Sequence, residues 1–184
     1  MPGAPTNQAL PQTVNPRKFA FQGTHVTGTI RAGSLSRLNA SLAREHGTID
    51  VALHFHLDAE GKAIVSGRAE AEVSLICQRC LEPVVLPLRA DIMLAPVITD
   101  EQSKALGKNL DPWLVDSDDG SADLQRQIEE ELLLALPMVA FHTEQCIDTA
   151  LLQSGDGAES KEVKEDSPFA VLAKLKSKSQ ASDG

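Results

Sequence analysis

Three cysteines and a histidine are the residues of this 184-residue chain with the clearest chemical potential. Cys77 and Cys80 are separated by two residues, and His142 and Cys146 form a second, more widely spaced pair. Thiolates and imidazoles in such a pattern suit a tetrahedral zinc site, and Cys-x-x-Cys also occurs as a thiol redox pair. The alternative is that Cys77 and Cys80 are partly buried core thiols and His142 is a surface residue. The sequence therefore predicts at most one structural zinc ion, held by these four residues.

Other reactive patterns are weaker. A redox pair is expected at the start of a helix in a βαβ unit, whereas this pair lies between two strand-like runs. His54 and His56 share one strand face, but no cysteine or carboxylate pattern accompanies them, so a solvated face is the simpler interpretation. The chain contains no G-x-S-x-G, P-loop, G-x-G-x-x-G or H-E-x-x-H motif. We therefore expect a protein that is not an enzyme.

The cysteine pair requires a β-hairpin to position it. Apolar residues occupy odd positions from Ala63 to Leu75 and even positions from Val84 to Leu94. A two-residue loop of Gln78 and Arg79 would place Cys77 opposite Cys80 and Val73 opposite Val84, with both apolar faces on the same side.

A preceding strand and a long helix complete the predicted core. Residues 49–57 alternate apolar and polar, and a three-residue loop ending in Gly61 would pair Phe55 with Val65. Pro83 and Pro87 indicate that the last strand of this three-stranded meander is an edge or is bulged. A helix from about 122 to 136, capped by Ser121 or Asp123, would cover the apolar face and expose Arg126, Glu129 and Glu130. The predicted fold class is α+β, an antiparallel β-meander covered by one long helix.

The N-terminal part is less distinct. Loose alternation predicts a strand within residues 19–30, and leucines at helical spacing predict a helix over residues 34–45 with Ser34 as N-cap. Thr99 or Asp100 would cap a short helix to Leu106, and residues 113–115 read as a short strand. Arg31, Arg37 and Arg44 form either a solvated face or a phosphate-binding stripe.

The predicted domain organisation has four parts. Residues 1–16 are a proline-rich flexible lead, 17–152 a single α+β domain, 153–166 a disordered linker, and 167–178 a short amphipathic peptide. Ser167 and Pro168 give that peptide a helix start, and lysines follow in its last turn. It would either dock on a partner through Phe169, Leu172, Lys174 and Lys176 or pack on its own domain.

Composition limits the partners. The net charge is -9, aromatic residues make up 3%, and there is no tyrosine, which argues against a base-stacking or wholly basic RNA surface. Residues 98–166 carry seventeen acidic and five basic side chains, whereas residues 1–48 carry five basic and one acidic. No apolar run approaches the ~20 residues needed to span a bilayer, and no signal-peptide core is visible. We expect a cytoplasmic protein with reduced cysteines and no membrane contact.

Four segments together resemble the bacterial YceD family, whose members are called large ribosomal RNA subunit accumulation proteins. The segments are Cys77 to Pro83, Ala95 to Val97 before the acidic stretch, Ile128 to Pro137, and Pro168 to Leu172. The resemblance implies a non-enzymatic factor that supports the synthesis, processing or stability of 23S ribosomal RNA. Some branches of the family carry further cysteines after the long helix, where this chain has His142 and Cys146.

These observations predict a binding protein of ribosome biogenesis. Its expected partners are the large-subunit ribosomal RNA precursor, through the basic ends and Arg79, or a basic large-subunit ribosomal protein, through the acidic middle. The alternative is a zinc-binding regulatory or thiol-redox module built on the Cys-x-x-Cys hairpin.

Overall fold

The computed structural model describes residues 9–44, 47–116 and 118–148. The described residues up to Cys146 belong to one compact unit. The expected linker (153–166) and C-terminal peptide (167–178) lie outside the described residues. In order, the elements are β1 (Thr13–Val14), α1 (Pro16–Gln22), β2 (His25–Arg31), α2 (Ser36–Ser41), β3 (Thr48–Leu57), β4 (Ala63–Ile76), β5 (Pro83–Val97), α3 (Asp100–Lys104), β6 (Asp111–Leu114), β7 (Ala122–Asp123) and α4 (Leu124–Ala135).

A five-stranded sheet in the order β2-β3-β4-β5-β6 forms the body. All neighbours are antiparallel except β5 and β6, which run parallel. The α+β class is confirmed, and the predicted three-stranded meander is the centre of the larger sheet. Because β6 pairs only with residues 94–97, Pro83 and Pro87 lie on the part of β5 that has no second neighbour in this sheet, as expected for residues without an N–H.

The β3–β4 hairpin has the predicted register. Leu57 pairs with Ala63, Phe55 with Val65 and Leu53 with Gly67. Gly61 supplies the positive φ of 76° that the tight turn needs. Asp58 Oδ1 also accepts hydrogen bonds from the backbone N–H groups of Glu60 and Lys62.

Two helices pack on the inner face of the sheet rather than one. The buried side chains Leu124, Ile128 and Leu132 of α4 join the hydrophobic cluster of the strands, and α4 contacts β5. Helix α1 packs against β3 and β4, with Phe19 edge-on to Phe55 at 5.4 Å between ring centroids. The expected single cover is therefore shared between α1 and α4.

The predicted strand over residues 19–30 is wrong in its first half, which forms α1. Asn15 caps this helix by accepting from the Lys18 N–H, Pro16 occupies its first turn, and Gly23 ends it at a φ of 63°. These start and stop signals outweigh the loose alternation of Phe19 and Phe21. Residues 9–14, within the expected lead, include β1, which pairs with β7.

Glu129 is the main correction to the predicted solvated face of α4. Its side chain is buried, with a relative exposure of 6%. Its Oε1 accepts from the backbone N–H groups of Arg37 at 2.8 Å and Leu38 at 3.1 Å. It therefore caps α2, replacing the expected cap Ser34, whose hydroxyl donates to the Arg31 carbonyl instead. Helix α2 is also shorter than predicted.

Candidate metal centre

Cys77, Cys80, His142 and Cys146 converge at one end of the sheet. Their ligand atoms all lie within 4.8 Å of one another, and no other such group occurs among the described residues. The Cys77 and Cys146 sulfurs are 3.8 Å apart, and the Cys80 sulfur is 3.4 Å from Nδ1 of His142. The four residues predicted from sequence could thus hold a metal ion. Three thiolates and one imidazole form a donor set typical of structural zinc.

The turn that carries Cys77 and Cys80 is longer than predicted. Strand β4 ends at Ile76 and β5 begins at Pro83, so Val73 pairs with Leu86 rather than Val84. Within the six-residue turn, the Leu81 N–H donates to the Cys77 carbonyl at 3.0 Å, and the Cys77 N–H donates to the Glu82 carbonyl at 2.9 Å. Leu81 adopts a φ of 64°, which is rare for a non-glycine residue. This tight local fold aims both sulfurs at a common point.

The second half of the cluster comes from the segment after α4. Pro137 follows the helix end, and the chain returns to the turn, where the Ala140 carbonyl accepts from the Gln78 N–H at 2.8 Å. Ala140 is buried at 4% exposure. This backbone link holds His142 and Cys146 against a turn more than sixty positions earlier in the chain.

Arg79 joins the two halves. Its Nε–H donates to the Cys146 sulfur at 3.2 Å, and an Nη2 group donates to the carbonyls of His142 and Glu144 at 2.8 Å each. The guanidinium also lies over the Phe141 ring, 5.6 Å from its centroid. Arg79 is predicted from sequence as a partner contact, but these bonds favour an internal role.

The environment of Cys77 favours a thiolate. Burial raises the pKa of this thiol, but the backbone N–H groups of Cys80, Arg79 and His142 and the His142 side chain lower it to about 5. Hydrogen bonds from backbone N–H groups to sulfur stabilise the charged form directly. Such a thiol can bind a metal or act as a nucleophile.

The pKa values of the other three residues, Cys146, Cys80 and His142, are shifted by their neighbours in the same cluster. For Cys146, burial raises the pKa, but Cys80, His142 and Arg79 together bring it below its ordinary value. For Cys80, the Glu82 backbone lowers the pKa, but burial and the neighbouring Cys146 and Cys77 raise it overall. Hydrogen bonds to Cys77 and Cys146 raise the pKa of His142. The lowered pKa values favour negative charge on the Cys77 and Cys146 sulfurs, which a cation would stabilise.

A second group of potential ligands lies on the outer face of the sheet. His25 of β2 stands directly opposite His54 of β3, with parallel rings 4.0 Å apart between centroids. His56 stacks on His54 at 4.7 Å. The sequence interpretation of His54 and His56 as a solvated face did not include His25, because only the β2–β3 register brings it there. Burial, then repulsion from His25 and His56, lower the pKa of His54.

The remaining predicted contact residues are three arginines and four residues of the C-terminal peptide. Arg31, Arg37 and Arg44 are exposed, but the Arg37 guanidinium pairs with Glu130 at 3.2 Å. Phe169, Leu172, Lys174 and Lys176 lie outside the described residues, so their role stays a prediction. Sequence reasoning missed the exposed apolar side chains at the end of α4 and just after it. Leu134, Met138 and Val139 are 82%, 100% and 56% exposed, and the uninterrupted apolar run from 132 to 136 was the available signal.

Comparison with known proteins gives one consistent result. The family model described as "Large ribosomal RNA subunit accumulation protein YceD" matches residues 65–176. A protein of that name from Haemophilus influenzae is 33% identical over 170 residues, which cover 92% of this chain and 97% of the relative. No solved structure matches. The matched range contains all four residues of the cluster.

Proposed function

The chain belongs to the YceD family, and on that premise we propose that it is a non-enzymatic ribosome biogenesis factor. It supports the synthesis, processing or stability of 23S ribosomal RNA in the cytoplasm. The observation that carries this proposal is the near full-length similarity to a relative named for accumulation of the large ribosomal RNA subunit. Among the described residues, no helix is long and apolar enough to cross a membrane.

The donor set supports a structural rather than a catalytic role for the cluster. Catalytic zinc sites keep one position for water or substrate, whereas Cys77, Cys80, His142 and Cys146 supply four protein ligands. Zinc bound there would tie the β4–β5 turn to the segment that follows α4. Three thiolates around a divalent cation leave one negative charge, which the Arg79 guanidinium partly offsets through Cys146.

The partner is a basic large-subunit ribosomal protein or the ribosomal RNA precursor. Acidic side chains outnumber basic ones in residues 98–166, which suits a basic protein, whereas RNA would meet the basic ends. Reversing Glu129 would not test this surface, since that carboxylate is buried and caps α2. Asp111 and Glu144 are exposed and make better probes.

The test is purification of the tagged, full-length protein from cells at low salt, with sequencing of bound RNA and identification of bound proteins. We expect enrichment of large-subunit precursor RNA or large-subunit ribosomal proteins. Asp111→Lys with Glu144→Lys should reduce a protein partner, and Asp50→Lys, an exposed change on the opposite sheet face, should not. Removal of residues 167–184 tests the C-terminal peptide. Absence of every ribosomal component would contradict the proposal.

A thiol-redox module is the second candidate, and the lowered pKa of Cys77 is the observation that favours it. Alkylation with iodoacetamide separates the two roles. A zinc-bound cluster should resist alkylation until a chelator removes the metal, and metal analysis should give one zinc per chain. Rapid alkylation of Cys80 or Cys146, the two partly exposed thiols of the cluster, without chelator and in protein free of zinc, would support the redox role instead.

A further inference from the structure

An apolar cleft lies away from the cysteine cluster, between α1, the β3–β4 hairpin, the end of β5 and the residues following α3. Its volume is about 600 Å³, within the range of small-molecule sites. The floor is formed by Ile64, Ala95 and Val97, each 4% exposed. These three residues are buried but are not part of the main hydrophobic cluster. The cleft therefore has its own apolar layer.

Large apolar side chains at the rim of the cleft remain open to solvent. Phe21 is 81% exposed and Leu57 is 41% exposed, and both line it. The chain has only five phenylalanines, so exposure of one beside an apolar cavity is notable. A ligand that covers these side chains removes their apolar surface from water, which favours binding.

The charges at the cleft are positive, in contrast to the acidic chain. Arg17 and Lys62 line it, and no Asp or Glu is among its described lining residues. Arg17 and Phe21 are four residues apart in α1, so they share one face of the helix. Neither Arg17 nor Lys62 takes part in the ion pairs found among the described residues, although Lys62 helps to lower the pKa of nearby Asp58.

Polar recognition groups are otherwise scarce in the cleft. Gln102 is the one uncharged polar side chain among the described lining residues, and its Oε1 already accepts from the Ile98 N–H at 2.8 Å. A nucleotide or a sugar needs several hydrogen-bond partners, which this lining does not provide. An apolar body with a single anionic group matches the available surface.

We propose that this cleft binds a small amphipathic anion. The apolar body lies against Ile64, Leu57 and Phe21, and the anionic group meets the guanidinium of Arg17 and the ammonium of Lys62. A charge-assisted hydrogen bond with Arg17 fixes the orientation of the ligand. The proposal is independent of the role in ribosome biogenesis.

The experiment titrates the metal-loaded, full-length protein with two probes. Binding of 8-anilinonaphthalene-1-sulfonate is measured by its fluorescence, and binding of dodecanoate is measured by its displacement of that first probe. Arg17→Glu should weaken both about tenfold or more, the loss of about 1.4 kcal/mol expected when an ionic contact becomes repulsive. Lys18→Glu is the matched control, because it makes the same charge change at the adjacent exposed position, outside the cleft lining. It should leave binding within about twofold.

A second variant tests the location. Ala105 lines the cleft and is exposed, so Ala105→Trp fills the space without disturbing the core and should abolish displacement by dodecanoate. Retained binding in this variant would overturn the proposal, as would equal binding of dodecanol and dodecanoate or the absence of binding by either probe. Equal effects of Arg17→Glu and Lys18→Glu would also overturn it, because the anion would then respond only to net charge.

Discussion

Two groups of potential metal ligands, one beyond the end of the sheet and one on its outer face, have opposite geometries. In the cysteine cluster, residues from two distant segments point toward a common centre within 4.8 Å. In the histidine stack of His25, His54 and His56, neighbouring rings are nearly parallel, with interplanar angles of 2° and 19°. Side chains on one strand face stand side by side, whereas a turn with backbone bonds to sulfur can direct its side chains inward. The ligand atoms of the cysteine cluster converge because the β4–β5 turn and the segment after α4 direct them to one point, not because most of them are thiols rather than imidazoles.

Loss of the metal or of one of its ligands should give the largest difference between the cysteine cluster and the histidine stack. Cys77→Ser should reduce zinc content from one per chain to none, while His54→Gln should leave it unchanged. Removing zinc with a chelator should lower the free energy of unfolding by about 4 kcal/mol, the linkage expected when free zinc exceeds its Kd about 1,000-fold. Metal analysis and thermal unfolding measure both effects. Two zinc ions per chain, one lost in His54→Gln, would abolish the distinction.

A backbone change in the sheet should disturb the histidine stack and spare the cysteine cluster. Gly67 has a φ of 155°, and a Cβ there would collide with the Ala52 carbonyl oxygen of β3. Gly67→Ala should therefore cost about 3 kcal/mol of unfolding free energy and shift β3, which carries His54 and His56. NMR shifts of the imidazole C–H protons report the stacking. Zinc affinity should stay within about twofold, since the cluster lies beyond the far end of β4.

Substitution of Arg79 should weaken metal binding by the cysteine cluster and leave the histidine stack unchanged. Arg79→Gln removes the donor to the Cys146 sulfur and the bonds to the carbonyls of His142 and Glu144. Loss of such supporting contacts weakens metal affinity by about 10- to 100-fold. Competition against a chelator of known affinity measures the change. The zinc-free variant should also lose about 1 kcal/mol or more of unfolding free energy with these hydrogen bonds, and Arg68→Gln on the outer sheet face serves as the control.

The smallest expected effect is a pH dependence from the histidine stack. Because burial and the neighbouring histidines lower the pKa of His54, the unfolded chain binds more protons as the pH falls below about 6.5. The unfolding free energy should therefore decrease with decreasing pH below that value, and His54→Gln should flatten the slope. Thermal unfolding at about pH 7.5 and about pH 5.5 measures it. Ser66→Ala, opposite His54 on β4, should keep the wild-type slope.

Regular patterns made part of this structure predictable. The β3–β4 register follows from alternation and the position of Gly61, and the four-residue cluster follows from ligand type and spacing. The β4–β5 register did not follow, because Leu81 adopts a left-handed conformation that its side chain does not signal. The burial of Glu129 could not be predicted from helical periodicity alone. Its carboxylate is buried because it accepts hydrogen bonds from the otherwise unpaired N–H groups at the start of α2, more than ninety positions away in the chain.

The six-residue turn between β4 and β5 also bears on how this chain can change by insertion or deletion. The observed pairing is shifted by two positions from that of a two-residue hairpin, and both arrangements keep the same side chains toward the core. Because the buried side chains of β5 fix its pairing with β4, residues can be lost from or added to this turn without turning the fifteen residues of β5 over. A chain that does not need the metal could therefore shorten this turn and keep its fold.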